Sequence, residues 1–333
     1  MLELLIIVVI GTAIALTFNF FNGMNDAANS IASVVSTRVL SPRTAVMWAA
    51  GFHFVAAFVF THAVAKTVGK GLVFPEALTP LVIVAGLAGA IIWIGIATRA
   101  GLPISASHAL IGGLVGAALD AAGFGVIAWG GFTRIAIFMV LAPLIGMAVG
   151  FLLMILTSAV VARTTASPSK ANGLFKRLQL VSAAAYSLAH GSNDAQNAMG
   201  VITILLLTAG FVSTFIVPLW AVLASYGAIS LGTILGGWKV IRTMGMKITK
   251  LTPVHGFCAE TSGSLMIIGA SLAGIPVSTT HVISGSIIGV GATKRLSAVR
   301  WGVARNMIWA WIITIPVSAA VGGALNFLIR IFI

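Results

Sequence analysis

Charge is what this chain has least of. Lys, Arg, Asp and Glu make up 8% of its 333 residues, where a soluble domain carries about 25%. The acids number six: Glu3, Asp26, Glu76, Asp120, Asp194 and Glu260. One cysteine, Cys258, excludes an intramolecular disulfide and most thiol metal motifs. There is no Walker lysine loop, no His/Cys metal cluster and no G-x-G-D protease string, so an enzyme is not expected and no cofactor is required. A basic signal-peptide start is missing too. Glu3 stands there, and the apolar run continues past signal length, so the N-terminus reads as a first membrane segment.

What the chain has is apolar length. It is 59% hydrophobic with 37 glycines and a mean hydropathy of +1.11. A soluble fold could not hide this much apolar surface, and small residues let membrane helices approach closely. The expected partner is therefore the lipid bilayer. The net charge of +13 sits in short loops without interleaved aromatics, which fits orientation by positive charge and not nucleic-acid binding.

A crossing needs about 20 apolar residues. Crossings are expected at Leu4–Ser36, Ala45–Ala65, Leu81–Thr98, Leu102–Leu119 and Ile135–Val161. After a polar, basic linker at 163–179 come Leu180–Leu207, Phe211–Leu235, Pro253–Ala273, Ile275–Gly291 and Met307–Ile331. The expected fold is all-α and polytopic, with about ten to twelve transmembrane helices once broken or re-entrant segments are counted.

The chain repeats itself. Gly23-Met24-Asn25-Asp26-Ala27-Ala28-Asn29 returns as Gly191-Ser192-Asn193-Asp194-Ala195-Gln196-Asn197, the pattern G-x-N-D-A-x-N shifted by 168 (26 to 194). Pro103-Ile104-Ser105-Ala106-Ser107-His108 returns as Pro276-Val277-Ser278-Thr279-Thr280-His281, shifted by 173 (105 to 278). Trp129-Gly130 and Pro143 have counterparts in Trp301-Gly302 and Pro316. The halves are 1–162 and 180–333. The loops Arg163–Arg177, Lys239–Lys250 and Lys294–Arg305 hold four Lys or Arg each, while the first-half counterparts of the last two are nearly bare. Matching loops of unequal positive charge belong on opposite membrane faces, which predicts two inverted-topology repeats. Such repeats build secondary transporters with binding sites near the midplane.

A carboxylate in membrane-type sequence costs roughly 2.5–3.5 kcal/mol even on a lenient scale, and Asp26 and Asp194 incur that cost at matched positions. Gly and Asn around each suggest a break in the helix, with a second half-helix starting near Ala27 and near Ala195. Its free amides, at Ala27, Ala28, Ala195 and Gln196, would favour an anion. Oxygens of Asn22, Asn25, Asp26, Asn29, Asn193, Asp194 and Asn197 offer a cage for a hard cation such as Na⁺. The P-x-S motif reads as a helix N-terminus with Pro in its first turn and hydroxyls at Ser105, Ser107, Ser278, Thr279 and Thr280 ready to donate. Neither N-D motif contains Lys or Arg, so cations would have to bridge the acids before an anion could approach. Glu260 has Leu87 as its counterpart. It is either a further cation ligand or a partner for Lys or Arg.

With both motif pairs in order over essentially all 333 residues, the chain resembles the PiT family of inorganic phosphate transporters. The resemblance implies a cation-coupled phosphate symporter working by alternating access, and it leaves a homodimer open. It implies ion and phosphate roles for Asp26, Asp194, Asn25 and Asn193, with Ser105, Ser107, Ser278 and Thr280 near phosphate. Glu260 matches a family E-T-x-G stretch and joins the sodium set. Where relatives have glutamate, this chain has His53. The short central loop resembles prokaryotic members and implies a multi-pass protein of the inner (plasma) membrane. Carboxamides do not titrate, which favours sodium over proton coupling. Proton-coupled phosphate or metal–phosphate symport and sulfate transport remain open. An anion channel is disfavoured by two central acids, and an aspartyl hydrolase lacks its signature. His108, His190 and His281 are left without assigned roles.

Overall fold

The computed structural model describes residues 2–164 and 167–332. Twelve α-helices account for nearly all of these: α1 (Leu2–Ser36), α2 (Pro42–Val55), α3 (Ala63–Lys70), α4 (Pro80–Ala100), α5 (Ala106–Ala122), α6 (Trp129–Thr164), α7 (Pro168–Thr208), α8 (Leu219–Leu235), α9 (Trp238–Arg242), α10 (Pro253–Leu272), α11 (Thr279–Ala292) and α12 (Trp301–Phe332). Local chemistry sets several boundaries. Ser41 and Thr79 cap α2 and α4 with their hydroxyls, each followed by Pro at the first helical position. Gly101 and Gly274, at φ +73° and +67°, follow the ends of α4 and α10 in the left-handed conformation that glycine adopts without strain.

Four helices, α1, α4, α6 and α12, are long and apolar enough to cross a membrane on their own. Two bent pairs bring the number to six. In one, α2 with its 3₁₀ extension to Phe58 meets α3 at 88°; in the other, α8 meets α9 and its π turn (to Lys247) at 66°. The segments α7 and α10 span 41 and 20 residues but carry the polar motif and Glu260. Leu144, Leu152 and Leu156 on α6, and Ile308, Trp309 and Ile312 on α12, are exposed while the interior of the bundle is rich in Asn, Ser and Thr. Apolar outside and polar inside is the arrangement of an integral membrane protein.

The two sequence halves do not form separate bodies. Helix α5 packs against α4 and α12, and α11 packs against α10 and α6, so each half lends its last helix to the other. Glycine makes these contacts close. A Cβ at Gly116 would lie 2.0 Å from the Ala319 carbonyl oxygen, and one at Gly289 would lie 2.0 Å from that of Met147.

Several expectations change. The basic linker 163–179 is largely helical: α6 runs to Thr164 and α7 begins at Pro168, because Ser167 and Pro168 start a helix that the following Lys, Ala and Leu residues favour. Thr165 and Ala166 lie outside the described residues. The expected crossing Ala45–Ala65 is split by the 88° bend, and the segment expected from Phe211 becomes helical only at Leu219, after Pro218. Most consequential, α1 and α7 are continuous through both N-D motifs. Their glycines serve close approach instead of a break. A Cβ at Gly23 would lie 2.1 Å from the Ile229 carbonyl oxygen of α8, and one at Gly191 would lie 2.9 Å from Cα of His53.

The matched glycine contacts are directly testable. Gly116→Ala and Gly289→Ala should each lower stability in detergent by about 1–3 kcal/mol, read as a lower midpoint in tryptophan-monitored melting. Gly302→Ala, where a Cβ meets open space, should leave the midpoint essentially unchanged.

Candidate functional site

Asp26 on α1 and Asp194 on α7 are each 1% exposed, and the fold turns both towards the N-terminus of α11. The Thr279 hydroxyl lies 3.5 Å from Asp26 Oδ2 and 3.4 Å from Asp194 Oδ2, and that of Thr280 lies 3.4 Å from both Asp26 oxygens. Thr280 also donates to the Ile104 carbonyl at 3.0 Å, tying α11 to the segment that leads into α5. Tyr186 of α7 donates to the Thr279 carbonyl at 3.1 Å. One hydroxyl therefore touches a carboxylate from each half.

The helix N-termini are where the P-x-S motif placed them. Ser105 and Ser278 are the N-cap residues of α5 and α11, and their hydroxyls accept from the His108 and His281 amides. Pro103 and Pro276 lie two residues ahead of the caps, outside the first turn where the sequence put them, so they stiffen the approach and not the helix. The caps serve one amide each. The first-turn amides of Ala106 and Ser107, and of Thr279 and Thr280, remain at the positive ends of two helices.

Asparagines from both motifs complete the centre in matched pairs. Asn29 donates to Thr280 Oγ1 at 2.9 Å and Asn197 to Ser107 Oγ at 2.8 Å, each reaching the other half's helix N-terminus. Asn25 donates to Thr98 Oγ1 at 2.8 Å and Asn193 to Ser271 Oγ at 3.0 Å, each within its own half. With their amide groups so anchored, Asn25 Oδ1 and Asn193 Oδ1 are buried without a hydrogen-bond partner among the described residues, as are Asp194 Oδ1 and both polar atoms of Asn22. Orphaned, fully buried oxygens cost free energy that a bound cation would offset.

Four expected phosphate contacts are displaced. Ala27, Ala28 and Ala195 are interior residues of continuous helices, so their amides do not face an anion. Gln196 turns away from the centre: it donates to the Thr61 and Ser192 carbonyls at 2.9 and 2.6 Å and accepts from the Ala65 amide at 3.0 Å. It fastens the bend before α3 onto α7. Its counterpart, Ala28, cannot do this, and that asymmetry within the repeat was the available signal.

A histidine stands where sequence reading found no basic group. His190 Nε2 lies 3.2 Å from Asp194 Oδ2 and 4.0 Å from Asp26 Oδ2. His190 Nδ1 is 2.8 Å from His53 Nε2, with Ser30 Oγ within 3.2 Å of both rings, and His53 Nδ1 is 3.1 Å from Thr233 Oγ1. Asp26, His190 and Asp194 offer ligand atoms within 4.8 Å of one another. His108 and His281 form a second edge-to-face pair with ring centroids 4.9 Å apart.

Glu260 stands apart from the aspartates, beside Ser33, about two turns further along α1. Ser33 and Ser182 donate to its oxygens at 2.5 Å each, and Gln179 Nε2 donates at 3.0 Å. Among the described residues no Lys or Arg pairs with it, which removes the ion-pair alternative.

The comparisons follow this geometry. The chain matches the Phosphate transporter family over residues 22–322. It is 51% identical to a probable low-affinity inorganic phosphate transporter of Rhizobium meliloti (strain 1021), across 95% of this chain and 94% of that protein. A protein of the same description from Bacillus subtilis (strain 168) is 44% identical across 98% of both chains. Among solved structures, a protein described as the sodium-dependent phosphate transporter superposes with a TM-score of 0.89 at 28% identity, covering 98% of this chain and 100% of that one.

The reassignment of Gln196 makes a prediction. Gln196→Ala should speed amide hydrogen exchange across residues 61–65 by about tenfold, the equivalent of one lost buried hydrogen bond, measured by mass spectrometry. Phosphate binding should be unchanged; a phosphate ligand would give the reverse pattern.

Proposed function

This chain belongs to the Phosphate transporter family, and within it we propose that it is a sodium-coupled symporter of inorganic phosphate that works by alternating access. One observation carries the reading. Two buried carboxylates lie at the N-terminal turn of α11, where amides and hydroxyls favour an anion, and the residue before each of them, Asn25 and Asn193, keeps a buried carboxamide oxygen without a partner among the described residues. A cation site and an anion site share one threonine hydroxyl.

The order of events follows from charge. An anion approaching Asp26 and Asp194 is repelled until cations occupy the oxygens of Asn25, Asp26, Asn193 and Asp194. Sodium is the cation these oxygens suit, because the carboxamides bind it without exchanging a proton. Asn29 and Asn197 hold the Thr280 and Ser107 hydroxyls, and Asn22, one turn before Asp26 on α1, keeps both side-chain polar atoms without a partner among the described residues. Phosphate then docks on the first-turn amides of α5 and α11 with the hydroxyls of Ser107, Thr279 and Thr280, while Ser105 and Ser278 hold the helix ends in shape. Glu260 with Ser33 and Ser182 supplies a second oxygen cluster, a further cation station. The two halves are inverted-topology repeats that rock about the loaded site. They sit in the inner (plasma) membrane with the basic loops on the cytoplasmic face.

One observation favours proton coupling instead. Thr233, His53 and His190 are hydrogen-bonded in series at 3.1 and 2.8 Å, and His190 Nε2, which makes no hydrogen bond among the described residues, stands 3.2 Å from the Asp194 carboxylate. A chain of that kind can pass a proton, and sodium coupling leaves it a purely structural part.

Uptake of radiolabelled phosphate into proteoliposomes separates these readings. Under an imposed sodium gradient uptake should exceed that in choline with a matched pH gradient, and sulfate should not compete. Uptake that follows only the proton gradient would overturn sodium coupling. Asp26→Asn and Asp194→Asn should each lower sodium-driven uptake about a hundredfold, as expected for about 3 kcal/mol of lost cation binding; unchanged uptake would refute the charge-balance account.

A further inference from the structure

A lateral groove of about 890 Å³ lies between α6 and α12, floored by His281 and Gly285 of α11. Its walls are almost entirely carbon, with Met307 and Trp311 of α12 buried at its base. Its rims are formed by Val140 and Leu144 on α6 and Ile308 and Ile312 on α12, all between 48% and 61% exposed. These residues belong to the apolar outer face, so the groove opens sideways into the hydrocarbon and not into water.

One end of the groove has a different chemistry. Arg305 lines it, and Trp301, half exposed, stands beside Arg305 at the start of α12. The adjoining loop adds Lys294, Arg295 and Arg300, and no acid occurs between 294 and 305. Tryptophan marks the level of the lipid headgroups. Basic pockets between membrane helices on the cytoplasmic side bind anionic headgroups. We propose that this groove is a binding site for an anionic glycerophospholipid, with its acyl chains between α6 and α12 and its phosphate at Arg305.

Charge favours an anionic lipid over a second copy of this chain as the occupant of the basic end. Of its six acids, Asp26, Asp194 and Glu260 are buried and Asp120 faces Arg330 at 3.8 Å. Glu3 and Glu76 alone remain at the surface, too few and too far apart in sequence to meet four clustered cations. The lipid would also touch the transport site's own scaffold. His281 Nδ1 is 3.2 Å from the Met139 carbonyl of α6 and its ring lies against Trp311 of α12, tilted by 31° with centroids 3.9 Å apart. Thr280, which contacts Asp26, is the preceding residue on α11.

The test is photolabelling of the full chain in phosphatidylcholine vesicles. Two probes are compared, phosphatidylglycerol and phosphatidylcholine, each carrying a diazirine on an acyl chain, with adducts mapped by peptide mass spectrometry. Phosphatidylglycerol adducts should concentrate on the facing sides of α6 and α12 and should resist excess inorganic phosphate. Arg305→Gln should lower them about fivefold, the worth of one basic residue at an anionic lipid, and leave phosphatidylcholine labelling unchanged. Ile312→Trp, which fills the groove while keeping the arginines, should lower them as well. Equal labelling by both probes, adducts spread evenly over other lipid-facing helices such as α4, loss of label with free phosphate, or a groove shielded by a second copy would each overturn the proposal.

Discussion

Two carboxylates, each 1% exposed, meet at one threonine hydroxyl, and the bundle is arranged around the cost of keeping them there. Desolvating an ion costs several kcal/mol even after the protein relaxes, and two like charges at low dielectric add repulsion to that. The structure meets this with His190 between the acids, hydroxyls from α11 and the positive end of that helix. Each of these requires a close approach, which explains why Gly23 and Gly191 allow no side chain: α1 lies against α8, and α7 against α2, at backbone contact distance.

How much of this was legible in the chain depended on what each residue's chemistry permits. Asp26 and Asp194 stood out because acids in membrane sequence are costly, and the matched spacing tied them to one site. Ser105 and Ser278 announced helix starts because a hydroxyl followed by small residues has few better uses there. Glycine is ambiguous in a way these are not. It permits a bend or a close contact, and only the neighbouring helix decides which; reading Gly23 and Gly191 as breaks put free helix-start amides at Ala27, Ala28 and Ala195, whereas the helix starts beside the aspartates are those of α5 and α11. The His53–His190 contact links positions 137 residues apart with no repeat to flag it, so no local pattern could have found it. Gln196 was legible in principle, since a polar residue opposite an alanine in a duplicated motif marks work done by one copy alone.

Departures from the repeat carry as much information as its matches. Asn25 and Asn193, Asn29 and Asn197, and Gly116 and Gly289 make equivalent contacts in the two halves. Where the copies differ, the roles differ: His190 stands where the other half has Asn22, Gln196 where it has Ala28, and Glu260 where it has Leu87. The symmetric residues build the frame and the shared centre. The asymmetric ones fasten the α2–α3 bend, bridge the aspartates and add a second carboxylate pocket on one side only.

The exchange of final helices has a consequence for how the chain is made. Helix α6 ends at Thr164, but the helix whose glycines fit it, α11, begins at Thr279, 115 residues later (164 to 279). At ordinary rates of synthesis that is roughly ten seconds. Throughout that interval the small-residue stripe of α6, including Gly146 and Gly150, has only lipid or provisional neighbours to lie against. The final packing of α6 therefore waits on the synthesis of most of the second half, although α6 is the last helix of the first.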